Sequence, residues 1–341
     1  MKTHNLSKTF IIAELSANHG HNIENALTTV RAVKECGADA IKIQTYTADT
    51  ITLNCDNELF KIKQGTIWDG ITLYQLYQEA YTPWEWHAAI QAEAEKLGLV
   101  FFSTPFDFSA VDFLENLHVP LYKIASFEIT DIPLIEYTAS KGKPMIISTG
   151  IATLADIEAA VTACRRVGNN DITLLKCTSS YPAPIEEANL LTIPNLAQTF
   201  GVKVGLSDHT LGYTAPIVAV ALGAQVIEKH FILDRAIGGP DASFSLTPEE
   251  FKIMVDGVRQ AEASLGKVSY ELTDKVKASR KFARSLFVSK DIKTGESITM
   301  ENVRSVRPSD GLPPIELSNV LNKIAKHDIK AGTPLSWDLI F

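Results

Sequence analysis

Two histidines, His209 and His230, lie 21 residues apart, and each follows an apolar, β-rich run of the sequence. If the two runs form neighbouring parallel strands, about 5 Å apart, both imidazoles project from the same edge of one sheet. Imidazole binds several divalent transition metals, and an ion with open positions polarises a substrate carbonyl oxygen. The spacing therefore indicates a two-histidine metal site, to which Glu14, Glu128 or water could add ligands. Two histidines held by ordinary hydrogen bonds are the alternative.

Two lysines, Lys42 and Lys123, lie within or at the end of apolar runs, where an unpaired ammonium is costly to bury. A small ligand carrying both phosphate and carboxylate would neutralise them and would also use nearby hydroxyls. The hydroxyls in question belong to Thr104, Ser126, Ser148 and Ser207. Salt bridges to Glu14 or Glu128 are the alternative.

These side chains belong to a repeating pattern of short β-rich runs and longer amphipathic runs. The predicted strands are residues 10–16, 40–46, 100–104, 121–125, 144–148, 172–178, 203–207 and 225–231, and most are apolar throughout, as in parallel strands buried on both faces. Helical patterns include residues 23–36, 83–97, 154–167 and 248–265. About eight such units predict an α/β fold, the closed (β/α)₈ or TIM barrel. A doubly wound open sheet is disfavoured because no Gly-x-Gly-x-x-Gly follows the first strand.

The composition changes near Gly266, and the sequence predicts a catalytic barrel over residues 1–266, a linker over 267–283 and a small domain over 284–341. Within the small domain, the segment from Asp291 to Thr299 is echoed by the segment from Asp328 to Ser336. The repeat suggests two equivalent lobes. A core of this size is marginal by itself.

A formal net charge of -8 disfavours nucleic acid and acidic membranes as partners, because both select basic surfaces. No apolar run approaches the ~18 residues needed to span a bilayer, and the first eight residues lack a signal-peptide pattern. The four cysteines show no metal or disulfide spacing. A cytoplasmic location is expected.

Barrel enzymes carry their active sites at the C-terminal ends of the strands, so polar residues at these positions are candidates. They are Glu14, Lys42, Gln44, Ser103, Thr104, Lys123, Ser126, Glu128, Ser148, Thr149, Ser179, Tyr181, Ser207, Asp208, His209, Glu228 and His230. One such residue is more often a turn or a helix cap. Their coincidence at about eight strand ends favours function, since charged groups are rarely buried without a partner. His19, His87, His118 and His327 are assigned structural roles.

The chain resembles the sialic acid synthases, the phosphoenolpyruvate-condensing nonulosonic acid synthases, along nearly its whole length. The motifs that carry the resemblance are Ile12-Ala-Glu-Leu-Ser-Ala-Asn-His19, Lys42-Ile-Gln44, Ser103-Thr-Pro-Phe106, Lys123-Ile-Ala-Ser-Phe-Glu128, Ser148-Thr-Gly150, Gly205-Leu-Ser-Asp-His209, Glu228-Lys-His-Phe231 and Gly239-Pro-Asp241. The small domain resembles the antifreeze-like (SAF) domain of the same enzymes, through Arg307-Pro and Gly311.

The resemblance implies a reaction in which phosphoenolpyruvate attacks the aldehyde of an open-chain N-acylated amino sugar, water adds, and phosphate leaves by C–O cleavage. It implies catalytic roles for Glu14, Glu128, His209 and His230, with Mn²⁺, or Mg²⁺ or Co²⁺, on the two histidines. It implies phosphoenolpyruvate contacts by Lys42, Thr104, Lys123, Ser126, Ser148, Ser179 and Ser207, and sugar contacts by Gln44, Tyr181, Asp241 and Arg307. It also implies a homodimer in which each SAF domain covers the partner's active site and brings Arg307 to the sugar.

Two details refine the resemblance. Sialic acid synthases usually carry asparagine where this chain has Ser179, whose shorter side chain with one donor cannot copy an amide. A run including Trp68-Asp-Gly70, Leu73-Tyr-Gln-Leu-Tyr77 and Thr82-Pro-Trp-Glu-Trp86 resembles the pseudaminic acid synthase branch, whose substrate is 2,4-diacetamido-2,4,6-trideoxy-L-altrose. Packing of a helix is the alternative role for Trp84 and Trp86.

Three alternatives stay open from the sequence. A sialic or legionaminic acid synthase would differ only in the sugar that it accepts. A Schiff-base aldolase would use Lys176 or Lys123 as its nucleophile. A non-catalytic sugar-binding protein would not need the full set of strand-end groups.

Overall fold

The computed structural model describes residues 8–63 and 69–341. The chain forms two compact units, one reaching to Gly266 and the other covering Lys267–Phe341. Within the described residues, no helix is both long enough and apolar enough to cross a membrane.

The first unit is a closed barrel of eight parallel strands that neighbour one another in sequence order. The strands are β1 (Phe10–Glu14), β2 (Ala40–Thr45), β3 (Val100–Pro105), β4 (Tyr122–Ile124), β5 (Met145–Ser148), β6 (Ile172–Cys177), β7 (Lys203–Asp208) and β8 (Val226–His230). β1 pairs with both β2 and β8, so the barrel has no free edge. The predicted (β/α)₈ barrel is confirmed, and the open doubly wound sheet is excluded.

Helices connect the strands, and most of them pack on the outside of the barrel. They are α1 (Ile23–Glu35), α2 (Ala48–Ile51), α3 (Leu73–Ala80), α4 (His87–Lys96), α5 (Phe108–Asn116), α6 (Ile132–Ala139), α7 (Leu154–Arg166), α8 (Thr192–Phe200), α9 (Thr214–Ala221) and α10 (Pro248–Leu265). Capping boxes begin four of them, at Thr47 of α2, Thr72 of α3, Thr153 of α7 and Thr247 of α10. A 3₁₀ turn, Trp84–Trp86, precedes α4 where one continuous helix was predicted.

The barrel interior changes from apolar to charged along the strands. Ile12, Ala40 and Phe102 belong to an apolar cluster inside the barrel, and Ile12 stands in register with Ala40. Side chains two residues apart on a strand share a face. Glu14 and Lys42, each two residues further along and in register with one another, therefore lie above an apolar floor.

Gly205 of β7 provides a stability test of barrel closure. A Cβ at this position would lie 2.3 Å from the Val226 carbonyl oxygen and 2.7 Å from Leu175 Cδ2. We expect Gly205→Ala to lower the free energy of unfolding by about 3 kcal/mol, the upper end of overpacking costs, as measured by urea denaturation. Gly201→Asn is the matched control, because Gly201 ends α8 in a left-handed conformation with open space around its Cα. Equal stabilities of the two variants would contradict the expectation.

The second unit is built on an antiparallel pair, β9 (Ser285–Val288) and β10 (Val303–Val306), with short helices α11 (Asp274–Ser279) and α12 (Leu317–Val320). Its core includes Leu286, Val288, Ile298 and Val320. The predicted linker therefore contains a helix, which Thr273 caps by accepting the Val276 N–H.

The two repeated segments of the second unit contact one another reciprocally. Lys293 Nζ lies 2.7 Å from Asp328 Oδ2, and Lys330 Nζ lies 2.7 Å from Asp291 Oδ2. Ile292 pairs with Ile329 across the centre. The two repeated segments therefore make equivalent contacts with one another. Because the ion pairs are exposed, each contributes little stability, and the apolar core holds the unit together.

Candidate active site at the C-terminal ends of the barrel strands

A cavity of about 300 Å³ lies where the barrel strands end. Most of the predicted site residues line it, namely Lys42, Gln44, Lys123, Ser126, Glu128, Ser148, Tyr181, Ser207, His209, His230 and Asp241. Three more lie directly behind the lining: Glu14 and Thr104 contact Lys42, and Ser179 contacts Ser126. Arg307 belongs to the second unit.

Four buried charged groups lie in the cavity lining or directly behind it. Lys42 is paired with Glu14 and lies 3.8 Å from Glu228, and Lys123 Nζ lies 3.3 Å from the same Glu228 oxygen. Ser207 Oγ donates to that oxygen at 3.1 Å. The salt-bridge alternative is thus correct for Lys42 and Glu14, but Glu228, and not Glu128, pairs with Lys123.

Glu228 is the acidic residue that sequence reasoning named at a strand end without giving it a role. The available signal was its position, two residues before His230 on the same strand, which places both side chains on the cavity face.

The two lysines differ in how well the protein neutralises them. Burial opposes the charged form of Lys42, but Glu14 and Glu228 outweigh burial and raise its pKa. Burial lowers the pKa of Lys123, which Glu228 only partly offsets. An anionic ligand would therefore stabilise the ammonium of Lys123 most.

Several buried polar atoms around the cavity have no hydrogen-bond partner among the described residues. They include Glu228 Oε2, Glu128 Oε2, Ser148 Oγ and His230 Nδ1. Buried polar groups in folded proteins are nearly always hydrogen-bonded, and exceptions call for an explanation such as a ligand. Their convergence on one cavity marks it as a binding site for a polar molecule.

His209 and His230 lie side by side, with ring centroids 5.3 Å apart. His209 Nδ1 lies 3.0 Å from the Thr178 carbonyl oxygen, so Nδ1 donates there and Nε2 is left to accept. His230 Nδ1 lies 3.7 Å from Asp241 Oδ2. Burial lowers the pKa of His230 well below its usual range, which favours the neutral imidazole that metals bind.

The donor set around the two histidines fits a metal ion with open positions. Among residues 8–63 and 69–341, no group of three or more His, Cys, Asp or Glu side chains has metal-binding geometry. A ligand role for Glu14 or Glu128 stays a prediction, and Glu14 is paired with Lys42. The unpartnered His230 Nδ1 and the spacing of the two rings still fit an ion that takes its other ligands from water and substrate.

Glu128 is placed to exchange protons near neutral pH. It ends the 3₁₀ turn Ser126–Glu128 that follows β4, and its side chain lines the cavity. Burial raises its pKa to about 7, with Asp131 adding to the effect and Lys123 opposing it. A carboxyl group with this pKa can both accept and return a proton at physiological pH.

Ser179 packs closely against Ser126 and Gly150. Its Oγ lies 2.7 Å from Ser126 Oγ, which connects it to the cavity lining. The site is crowded, since a Cβ on Gly150 would lie 2.0 Å from Ser179 Oγ and 3.1 Å from Cys177 Sγ. The glycine is thus required for this packing.

Ser16 organises the other side of the cavity and was missed by sequence reasoning. Its N–H donates to Glu14 Oε1 at 2.9 Å, and its Oγ accepts from Gln44 Nε2 at 2.9 Å. Ser16 has a φ of 45°, a left-handed conformation that non-glycine residues rarely adopt and that clusters at functional sites. No sequence signal distinguishes it from a turn serine.

An apolar wall closes one side of the cavity. It consists of Tyr46, Ile51, Leu76, Tyr77, Ala80 and Phe106, and the Tyr46 ring lies 5.6 Å from Tyr77 and 5.0 Å from Phe106. α3 contributes three of these residues.

The tryptophans of the same region pack behind the apolar wall. Trp84 Nε1 donates to the Tyr46 carbonyl oxygen at 3.1 Å, and Trp86 packs edge-on against His19. Packing is therefore their role, and neither lines the cavity. Trp68 lies outside the described residues.

Two of the histidines assigned structural roles are buried and hydrogen-bonded. His87 Nε2 lies 2.8 Å from Thr45 Oγ1, and His19 Nε2 lies 3.4 Å from Thr82 Oγ1. Burial lowers the pKa of each to about 4. Lys176, the nucleophile of the aldolase alternative, donates to the Cys177 carbonyl oxygen at 2.7 Å and does not line the cavity.

Comparisons with known proteins identify the family of the chain. The NeuB family matches residues 29–270, and the SAF domain matches residues 283–340. The pseudaminic acid synthase of Campylobacter jejuni is 52% identical over 96% of this chain and 95% of its own length. That of Helicobacter pylori is 50% identical over 96% of both chains.

A solved structure of a related enzyme has a similar fold. The N-acetylneuraminic acid (sialic acid) synthetase of Leptospira borgpetersenii, crystallised with citrate, is 31% identical, covers 80% of this chain and 90% of its own, and has a TM-score of 0.71. The chain therefore belongs to the NeuB family, and its second unit is a SAF domain.

Proposed function

We propose that this enzyme condenses phosphoenolpyruvate with 2,4-diacetamido-2,4,6-trideoxy-L-altrose and water to give pseudaminic acid and phosphate. The observation that carries the proposal is the composition of one cavity. It holds two buried lysines, a histidine pair and a carboxyl group with a pKa of about 7, together with an apolar wall. Identity of 50–52% to pseudaminic acid synthases over nearly the whole chain supports this choice of sugar.

Phosphoenolpyruvate is a compact anion, and the lysines with the surrounding hydroxyls fit it. Lys123 and Lys42 would bind its phosphate and carboxylate, and Ser126, Ser148 and Ser207 would donate hydrogen bonds to their oxygens. Thr104 and Ser179 would act from behind by orienting Lys42 and Ser126.

In the reaction, the C2–C3 double bond of phosphoenolpyruvate attacks the aldehyde carbon of the sugar. A single bond forms from C3, C2 becomes cationic, and the aldehyde oxygen takes up a proton to become a hydroxyl. Water then adds to C2, and the bond between C2 and the phosphate oxygen breaks, so that phosphate leaves with that oxygen. Glu128 in its ionised form would accept the proton of the water as it adds, which suits a pKa near 7. Gln44, Tyr181 and Asp241 would orient the sugar, with Glu14 fixed by Lys42 and Ser16 beneath it.

His209 and His230 would hold a divalent ion, Mn²⁺ in preference to Mg²⁺ or Co²⁺, that polarises the aldehyde oxygen.

A homodimer is part of the proposal. Val268 and Tyr270, which begin the second unit, are 91% and 95% exposed, so each chain presents apolar side chains without partners in its own described residues. In a dimer, the SAF domain of one protomer would cover the other's cavity, and Arg307 would contact the acylated sugar. The four cysteines are unpaired thiols, in keeping with a cytoplasmic enzyme.

The direct test is a phosphate-release assay with phosphoenolpyruvate, Mn²⁺ and a panel of sugars. We expect turnover with the diacetamido trideoxy altrose and little with N-acetylmannosamine or the legionaminic acid precursor. Preference for either of the latter would replace the proposed substrate. Sensitivity to chelators, and no trapping of pyruvate by borohydride, would separate the enzyme from a Schiff-base aldolase.

The apolar wall should discriminate between sugars. We expect Leu76→Asn to lower kcat/KM for the diacetamido trideoxy sugar about 10–100-fold, because the acetamido and C6 methyl groups lose an apolar contact worth 1–2 methylenes. KM for phosphoenolpyruvate should stay within about twofold of the wild-type value, because Leu76 belongs to the wall proposed to contact the sugar and not to the groups proposed to bind phosphoenolpyruvate.

Leu59→Asn is the matched control for this prediction, since Leu59 is 86% exposed and does not line the cavity. It should leave kcat/KM unchanged. A Leu76 variant with unaltered sugar preference would show that the wall does not contact the sugar.

A further inference from the structure

A buried ion pair lies on the outer face of the barrel, directly behind the two histidines. Asp208 and Lys229 are partners in register on β7 and β8, and each immediately precedes one of the histidines, His209 or His230. Successive side chains on a strand point to opposite faces, so the pair points towards the helices and neither residue lines the cavity. The Lys229 side chain is fully buried and that of Asp208 is nearly so.

The pair ties the end of β7 to β8 and shapes the turn that carries His209. Asp208 Oδ2 lies 2.5 Å from Lys229 Nζ and accepts from Thr210 Oγ1 at 3.2 Å. Asp208 Oδ1 accepts the Thr210 N–H at 3.0 Å, and Lys229 Nζ also donates to the Thr210 carbonyl oxygen. Thr210 and Asp208 thus hold His209 from both sides.

The stability of the fold does not by itself explain why Asp208 and Lys229 are charged residues. The neighbouring outward-facing residues Leu206 and Ile227 of these strands, and Phe231 directly after β8, belong to the apolar core between sheet and helices. Apolar residues of similar volume are often as stabilising as a buried ion pair, or more so, and the best-attested use of such a pair is to fix register.

Register matters here because of what lies on the other face. Ser207 and Glu228, which contact one another, are partners in register one step before the ion pair, and the two histidines come one step after it. A shift of one residue between β7 and β8 would move every side chain of one strand to the opposite face. The ion pair thus lies at the position along β7 and β8 that determines how the two imidazoles are placed relative to one another.

We propose that the Asp208–Lys229 pair is a positioning device that sets the separation and orientation of His209 and His230 for metal binding. This inference rests on the metal site of the proposed function. The pair touches neither substrate, and it acts only through the strand register and through the 208–210 turn.

The test compares Co²⁺ binding, followed by calorimetry and by the d–d absorption spectrum, in the full-length protein. Asp208→Leu/Lys229→Met removes both charges together, so no uncompensated ion is left buried. We expect this variant to unfold at a temperature close to that of the wild type, to bind Co²⁺ at least tenfold more weakly and to show an altered d–d spectrum. The matched control is Asp171→Leu/Lys203→Met, which removes an exposed pair between β6 and β7 at the opposite end of the barrel. It should bind Co²⁺ like the wild type.

If the double variant does not fold, Asp208→Asn/Lys229→Met replaces it, because asparagine has the same shape, can still accept the Thr210 N–H and leaves no ammonium buried without a counter-ion. This variant should also lose at least fivefold in Co²⁺ affinity. Co²⁺ affinity within twofold of wild type and an unchanged spectrum, in either folded variant, would overturn the proposal. His209→Ala separates the two hypotheses: if it binds Co²⁺ as tightly as the wild type, the metal site itself is wrong and the positioning role falls with it.

Discussion

Replacing Lys123 with methionine is expected to lower kcat/KM for phosphoenolpyruvate about 10²–10³-fold, the usual effect of truncating one partner of a buried charge pair. Lys123 is a buried cation that a single carboxylate, Glu228, neutralises at 3.3 Å, so its ammonium is the group that an incoming anion stabilises most. Methionine has nearly the same length and shape but cannot bind an anion. The loss should appear mainly in KM for phosphoenolpyruvate, measured by steady-state phosphate release, with KM for the sugar nearly unchanged.

Lys176→Met is the matched control for this substitution. Lys176 also lies near the end of a strand, but its ammonium binds backbone and hydroxyl oxygens away from the cavity. We expect wild-type activity from it, whereas an aldolase using Lys176 would be inactivated. Folded Lys123→Met with wild-type kcat/KM would refute the proposed phosphoenolpyruvate site.

Glu128→Gln is expected to lower kcat about 10²–10⁴-fold, the range for loss of a general acid or base. The pKa of Glu128 is raised to about 7, so the carboxyl is ionised above pH 7 and protonated below it. A base must be ionised to accept a proton. The wild-type kcat/KM should therefore rise about tenfold per pH unit up to about pH 7 and then level off.

Glutamine at position 128 cannot ionise. The part of the rise in kcat/KM with pH that is due to Glu128 should therefore be absent in this variant. Ionisation of the substrate phosphate affects both proteins equally, and the difference between the two profiles isolates Glu128. Asp131→Asn provides a second check: asparagine still caps α6, while loss of the charge should move the limb to lower pH. An identical limb in wild type and Glu128→Gln would rule out the assigned role.

The barrel could be predicted from the sequence because its strands are buried on both faces and therefore read as apolar runs. Every predicted strand is present, with ends within two residues of the prediction, as for Ile172–Cys177 against 172–178. Polar residues at the ends of such runs are conspicuous, which is why Lys42, Lys123, His209 and His230 could be identified. Because the active sites of such barrels lie at the C-terminal ends of the strands, these residues could be assigned to one site.

Pairing between these groups was harder to predict, since it depends on distances across the barrel rather than along the chain. Lys123 and Glu228 belong to β4 and β8, which are not neighbours in the sheet, so no spacing in the sequence connects them. The role of Ser16 depends on a left-handed backbone conformation, which cannot be predicted from the presence of a serine. Likewise, the sequence left open whether Glu14 pairs with Lys42 or binds a metal, and the ion pair between these neighbouring strands is seen only in the folded chain.

The apolar wall has an evolutionary consequence. Three of its residues come from α3, in the connection between β2 and β3, whereas the lysines, Glu128 and the histidines come from the strands or the turns directly after them. Mutations in that connection can remodel the substrate-facing surface while leaving the reacting groups undisturbed. Such modularity would let one ancestral catalyst diversify into enzymes for many bacterial sugars, and it makes this excursion the natural segment to exchange when a new specificity is engineered.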